Sequence, residues 1–237
     1  MKLTRRQIMS TVAGAAALGT FGVARGEEDE GGVGNVNDIV NVAWGTITGS
    51  PRDEVDFQDD VFMAEVIETD DESAVVIHFA DGSKLTIGEN ASVTIDKYVY
   101  NPSATTGEAA IKMTKGAFRF VSGSIPKENV KLETPTVTIG IRGTELVFDV
   151  TDDGETEMST VSGEADCTDG AGETLRVAAN ESIVVDKNRR FRGRVRRFLH
   201  RSRSLAVADG LDGARKRWRI RKERRRRVRR RRRNRRD

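Results

Sequence analysis

Along TPTVTIGIRGTELVFDV, Thr134 to Val150, apolar side chains alternate and then change parity. Val137, Ile139 and Ile141 are odd-numbered, whereas Leu146, Phe148 and Val150 are even-numbered. A strand has a side-chain period of two, so one face stays buried across such a switch only if a residue is inserted or the chain turns. Arg142-Gly143-Thr144 occupies the switch, and glycine is the residue that tolerates the positive φ of a bulge. A second switch falls at Lys115-Gly116, between Ile111 and Met113 on one side and Phe118 and Phe120 on the other. Repeated bulges of this kind imply a sheet that bends and coils instead of lying flat.

The same grammar runs from Ile39 to Asp186. Short β signals such as AEVIET, SAVVIHF, KLTIG, SVTIDKYVY, VKLET, TLRVA and SIVVD follow one another, and no 3.6-residue apolar stripe separates them. Ala80-Asp81-Gly82-Ser83 and Asp152-Asp153-Gly154-Glu155 place Asp-Gly between alternating runs, the pair favoured where both turn residues need positive φ. The expectation is an all-β domain of many short strands with bulges, twisted and solenoid-like or sandwich-like.

Charge divides the chain more sharply than its formal total of +3 suggests. Residues 187–237 hold 26 Lys and Arg against four acids, a net of +22, and residues 1–186 hold 14 basic and 33 acidic residues, a net of −19. An acidic domain, 39–186, is thus joined to an Arg-rich tail, 187–237, expected to be helical or disordered. Phe191, Val195, Phe198, Leu199 and Leu205 recur there at helical spacing, a basic amphipathic pattern. Beyond Gly213 the sequence is almost pure guanidinium, and Arg217, Arg219, Arg221, Arg224, Arg225, Arg226 and Arg227 are its polyanion-binding candidates.

At the other end, MKLTRRQIMSTVAGAAALGTFGVARG has the twin arginine Arg5-Arg6, a weakly apolar run and a small-x-small cleavage pattern, so residues 1–26 are expected to be a twin-arginine-type export signal. EEDEGGVGNVND, residues 27–38, is expected to be an acidic flexible linker. The expected location is therefore the periplasm, the cell envelope or the exterior. Cys167 is the one cysteine and has no internal disulfide partner.

Catalytic material is sparse. His78 and His200 are the two histidines, which leaves almost nothing for a histidine triad or a zinc site. Asp59-Asp60, Asp70-Asp71-Glu72 and Asp152-Asp153 do not match a calcium-loop pattern and are read as solvated turns. Gly140 and Gly143 beside an arginine lack the following helix that a phosphate loop requires. No cofactor, metal or enzyme activity is expected.

The stretches from IETDDESAVVIHFADGSKLTIGENASVTIDKYVY through KGAFRFVSG to TPTVTIGIRGTELVFDV and VSGEADC resemble, in order and spacing, the FecR-type domain. Its specific part is Thr134-Pro135 with Ile141-Arg142-Gly143-Thr144, supported by Asp81-Gly82-Ser83. The resemblance implies an extracytoplasmic all-β domain, twisted and solenoid-like, that works by protein contact without catalysis. Regulators of that family add a cytoplasmic helical domain and a membrane span and control a sigma factor. This sequence is expected to be a detached, exported form that keeps the sensing or binding half.

For Arg142 two roles stand open: a contact to a partner or anion, or a guanidinium that serves carbonyls or a carboxylate at the bulge. For the whole chain the expected function is a binding or sensing module with an unidentified envelope protein as partner, held to anionic lipid or another polyanion by its tail. The alternatives are a surface-associated structural protein in which the β domain is a spacer, and a polyanion or nucleic-acid binder acting through the tail. Nucleic acid would be met only before export or after release.

Overall fold

The computed structural model describes residues 32–197. Fifteen strands follow in order: β1 (Gly34–Val40), β2 (Ala43–Thr46), β3 (Asp53–Glu54), β4 (Asp60–Val61), β5 (Val66–Thr69), β6 (Ala74–Phe79), β7 (Lys84–Ile87), β8 (Ser92–Asn101), β9 (Thr106–Val121), β10 (Val130–Glu133), β11 (Val137–Val150), β12 (Thr156–Asp169), β13 (Thr174–Ala178), β14 (Glu181–Val185) and β15 (Arg196–Arg197). Among the described residues the only helical element is a 3-10 turn, Lys127–Asn129. The domain is all-β, as the alternation requires.

All strands belong to one continuous sheet, which the three longest of them divide into two halves. One half runs β3-β2-β5-β8-β9-β10-β11-β12-β13. The other runs β4-β1-β6-β7-β9-β11-β12-β14-β15. Strands β9, β11 and β12 serve both, changing partners part-way along. Every pairing is antiparallel except β9 with β10. Strands that pass between sheets through bulges are the usual way of making a corner.

The corners are glycines. Gly116 in β9 has φ 106°, Gly143 in β11 has φ 67° and Gly163 in β12 has φ 75°. The first two are the parity switches of the sequence. The β11–β12 register shifts between Arg142 and Glu145, where the inserted residue sits. The third switch is quieter: Thr156, Met158 and Thr160 point inward before Gly163, and Ala165, Cys167 and Asp169 after it. Inserting one residue at each corner keeps the same face buried, and the side chains of both halves form a single apolar cluster. Phe118, Phe120, Phe148, Ile67, Leu85 and Ile111 are among its fully buried members. Each such side chain contributes about 1.5–3 kcal/mol of transfer free energy.

Three features differ from the sequence reading. The linker assigned to 27–38 ends earlier than expected, because β1 begins at Gly34. Its Asn, Asp and Gly residues hide a strand that is held by pairing with β6 and β4 and by fully buried Val36. The Asp-Gly turns need positive φ at the glycine alone: Gly82 and Gly154 have φ 82° and 87°, whereas Asp81 and Asp153 keep ordinary values. In both hairpins the glycine amide bonds to the carbonyl three residues back, and the glycine forms a bulge in a three-residue loop.

The basic segment, finally, is neither helical nor free at its start. Asp186 to Arg190 form a turn, Phe191 bridges to Val185, and β15 pairs with β14, so residues 187–197 fold back along the sheet edge. Gly193, at φ 82°, interrupts the spacing that suggested a helix, and Phe191 and Val195 pack against the core instead. Phe198, Leu199, Leu205 and the arginine run lie outside the described residues, as do the signal at 1–26 and the first residues of the linker.

Candidate functional site

The Asp81-Gly82 turn joins β6 to β7 and places the Asp81 carboxylate inside the protein, 4% exposed. Its Oδ1 accepts hydrogen bonds from the Ser83 amide (3.0 Å), the Ser83 hydroxyl (2.6 Å) and the Tyr98 hydroxyl (2.8 Å). Its Oδ2 accepts one from the Ile125 amide (3.2 Å). The Asp81 carbonyl accepts another from the Ser124 amide at 2.8 Å. Burial alone would raise the carboxyl pKa, but the bonds from Ser83, Tyr98 and Ile125 outweigh it and hold Asp81 below the usual carboxylate value. Burial, reinforced by the neighbouring carboxylate, pushes the Tyr98 phenol up. Tyr98 also stacks on Phe79, with ring centroids 5.2 Å apart.

The 122–125 loop ties this turn to the β11 corner. At one end the Ser122 amide donates to the Thr144 carbonyl (3.0 Å), and the Thr144 amide donates to Ser122 Oγ (3.2 Å). At the other end lie the bonds to Asp81. Between them Gly123 passes so close that a Cβ would fall 2.5 Å from the Asp81 carbonyl oxygen and 2.6 Å from Oδ2. Thus Asp81, Gly82, Gly143 and Thr144, separated in sequence, become one connected structure.

Thr134-Pro135 makes a second junction. Thr134 Oγ1 accepts from the Val137 amide (3.2 Å) and from the Thr156 hydroxyl (2.8 Å), and Thr136 donates to the Gly154 carbonyl (2.9 Å). All three threonines are buried. Pro135 packs on the Gly154 turn, where a Cβ would sit 3.2 Å from the proline Cβ. The corner between β10 and β11 is thereby clipped to the β11–β12 hairpin.

Arg142 projects outward at the β11 corner. Its Nε donates to Asp166 Oδ2 at 2.9 Å, and Arg176 from β13 reaches the same carboxylate through Nε (2.8 Å to Oδ1) and Nη2 (3.3 Å to Oδ2). Glu164 lies 4.0 Å from Arg176. The bonds from Arg176 and then from Arg142 hold the Asp166 carboxyl below its ordinary value, and Asp166 raises Arg176 in turn. Both guanidiniums are more than half exposed, so solvent screens the pairs and their contribution to stability is small. Beside them is a shallow depression lined by Lys127, Glu128, Gly140, Ile141, Arg142 and Asp166.

The remaining sequence candidates are dispersed. His78 is half-buried on β6, and Cys167 is fully buried, with its thiol pKa pushed up by burial. Asp59 accepts from the Asp56 amide (2.8 Å) and Asp153 from the Thr151 hydroxyl (2.6 Å), so these acids serve their own turns. Among the described residues no group of three His, Cys, Asp or Glu side chains could hold a metal ion. Arg5, Arg6 and the arginines from Arg217 to Arg227 lie outside the described residues. The sequence reading missed Tyr98, Gly123, Asp166 and Arg176, whose roles arise only from long-range pairing.

A family model described as FecR protein matches residues 65–166, which span the Asp81 turn, the 122–125 loop and the β11 corner. No curated protein matches. Two crystal structures of a candidate anti-sigma factor from Parabacteroides distasonis ATCC 8503 are similar at 14% identity and a TM-score of 0.43. The similarity covers 56% of this chain and 59% of that one.

Proposed function

We propose that this chain, which carries a FecR-type domain over residues 65–166, is an exported binding module without enzymatic activity. In this reading the β domain contacts a protein partner in the cell envelope, and the Arg-rich C-terminal segment holds it to anionic surfaces. The family match, coinciding with the connected Asp81–Thr144 structure, is the observation that carries the reading. The tethering part rests on charge. Every Lys and Arg side chain between 187 and 197 is exposed, and 19 more basic residues follow against four acids.

A basic segment near an anionic membrane gains about 1 kcal/mol per Lys or Arg, and the gain decays within a Debye length of about 8–10 Å at physiological salt. The mature protein is therefore expected to bind phosphatidylglycerol vesicles at low salt, release them at roughly 300–500 mM salt, and lose binding when residues 215–237 are removed. Co-sedimentation measures all three. If the full chain ignores the vesicles at low salt while an isolated 215–237 peptide binds them, the domain neutralises its own tail and the tethering reading fails.

Export is expected to depend on Arg5 and Arg6. Cell fractionation of Arg5→Lys with Arg6→Lys should find precursor retained in the cytoplasm; undiminished export would refute a twin-arginine signal.

A further inference from the structure

Among the described residues four strands end the two halves of the sheet, and three of them, β3, β4 and β15, are two residues long. Such short edges are a common protection against unwanted pairing. The fourth, β13, has five residues, Thr174-Leu175-Arg176-Val177-Ala178, with no proline, bulge or inward-pointing charge. Lys97 to Asn101 of β8 also pair on one side alone, but the bulge at Asp96 interrupts that approach.

The β12–β13 hairpin sets the phase of the open edge. The Asp169 amide bonds to the Glu173 carbonyl at 2.9 Å, so Cys167 with Leu175 and Ala165 with Val177 are the hydrogen-bonded pairs. The backbone N–H and C=O groups of Thr174 and Arg176 then point away from β12. The Ala178 amide, next in phase, is capped by Glu181 Oε2 at 2.8 Å.

Side chains on the outer face specify what could pair there. The cross-strand row reads Lys131, Gly140, Asp166, Arg176, and the position beyond Arg176 is open among the described residues. Arg176 uses Nε and Nη2 on Asp166, so Nη1 is not engaged by that carboxylate. A carboxylate directly opposite would continue the alternation of charge. On the inner face Leu175 is half-buried and Val177 buried, so apolar neighbours would extend the core. We propose that the edge of β13, unpaired among the described residues, accepts an extended partner strand with an acidic residue opposite Arg176 and an apolar residue on either side of it. This deepens the binding-module reading by naming the surface and the chemistry of its partner. A second copy fits less well: it would set Arg176 near its own counterpart and bring together two bodies that each carry 17 basic and 29 acidic residues over 32–197.

The test uses the full chain and two synthetic peptides, acetyl-TVEVT-amide and acetyl-TVKVT-amide, followed by amide NMR at about 300 mM salt so that the tail is screened. The glutamate peptide should shift the Thr174–Ala178 signals, slow hydrogen exchange at the Thr174 and Arg176 amides, and bind at least about fivefold tighter than the lysine peptide. Thr174→Pro removes an edge donor without breaking a ladder bond and should abolish the response while the thermal midpoint stays within about 2 °C. Equal response to both peptides, or shifts confined to other strands, would overturn the proposal. So would dimerisation of the full chain that Thr174→Pro abolishes, since the edge would then pair with itself. None of these outcomes bears on vesicle binding, so the tethering reading stands or falls separately.

Discussion

Gly163→Ala is expected to cost at least about 4 kcal/mol, against about 1–2 kcal/mol for Gly143→Ala, although both glycines have positive φ. At Gly143 a Cβ meets nothing within 4 Å, so the penalty is the left-handed backbone alone. At Gly163 the added carbon would overlap the Gly143 carbonyl oxygen, 2.8 Å from its carbon and 3.0 Å from the Arg142 oxygen. Those atoms are backbone and cannot rotate aside. The β11–β12 ladder must open at the corner where both halves of the sheet meet. With domain stabilities of about 5–15 kcal/mol, a loss of that size is a large fraction of the total. Urea unfolding followed by tryptophan fluorescence would read it; similar midpoints for the two variants would show that the corner is compliant.

Asp81→Ala is the second large effect, expected to cost at least about 3 kcal/mol. Removing the carboxylate leaves the Ser83 amide and hydroxyl, the Tyr98 hydroxyl and the Ile125 amide without their acceptor in a buried place. Asp81→Asn keeps an acceptor oxygen but loses the charge, and its amide would put a donor against groups that already donate.

The pH dependence has a definite sign. The folded pKa of Asp81 lies below its ordinary value, so its contribution is fully present above the unfolded carboxyl pKa of about 3.9 and is lost as pH falls through the folded value. Asp81→Asn should therefore be less stable than the parent at neutral pH and lose less on acidification below about pH 4. Parallel stability curves for parent and variant would mean that the carboxyl is not held ionised by these bonds.

Alternation and turn chemistry made most strands legible. Two of the three corners were visible because large apolar residues mark both sides of Gly116 and Gly143. Gly163 was not, since the inward residues before it include Thr156 and Thr160, which read as polar even though both are buried. β1 escaped for a similar reason: Asn, Asp and Gly signal a loop until β6 supplies the pairing.

The site shows the same division. Asp81-Gly82 was recognisable as a turn, but the burial of its carboxylate depends on Tyr98 and on Ile125, 44 residues away. No local pattern encodes that distance. Arg142 was conspicuous, while Asp166 and Arg176 are ordinary strand residues until register sets them side by side. The spacing of Phe191 and Val195 suggested a helix because a gap of four is shared by helices and by a bulged return strand.

The sharing of β9, β11 and β12 between the two halves also bears on how the protein comes apart. Neither half owns a complete set of interior strands, so neither can persist after the other melts. A proteolytic cut within any of the three would disable both at once. Unfolding should thus be a single all-or-none event over most of the described residues, with slow hydrogen exchange spread evenly across the two halves. Assembly carries the complementary burden: contacts such as β7 with β9 and β9 with β11 must close over long stretches of chain before any corner is complete, which places folding toward the slow end for a domain of this size.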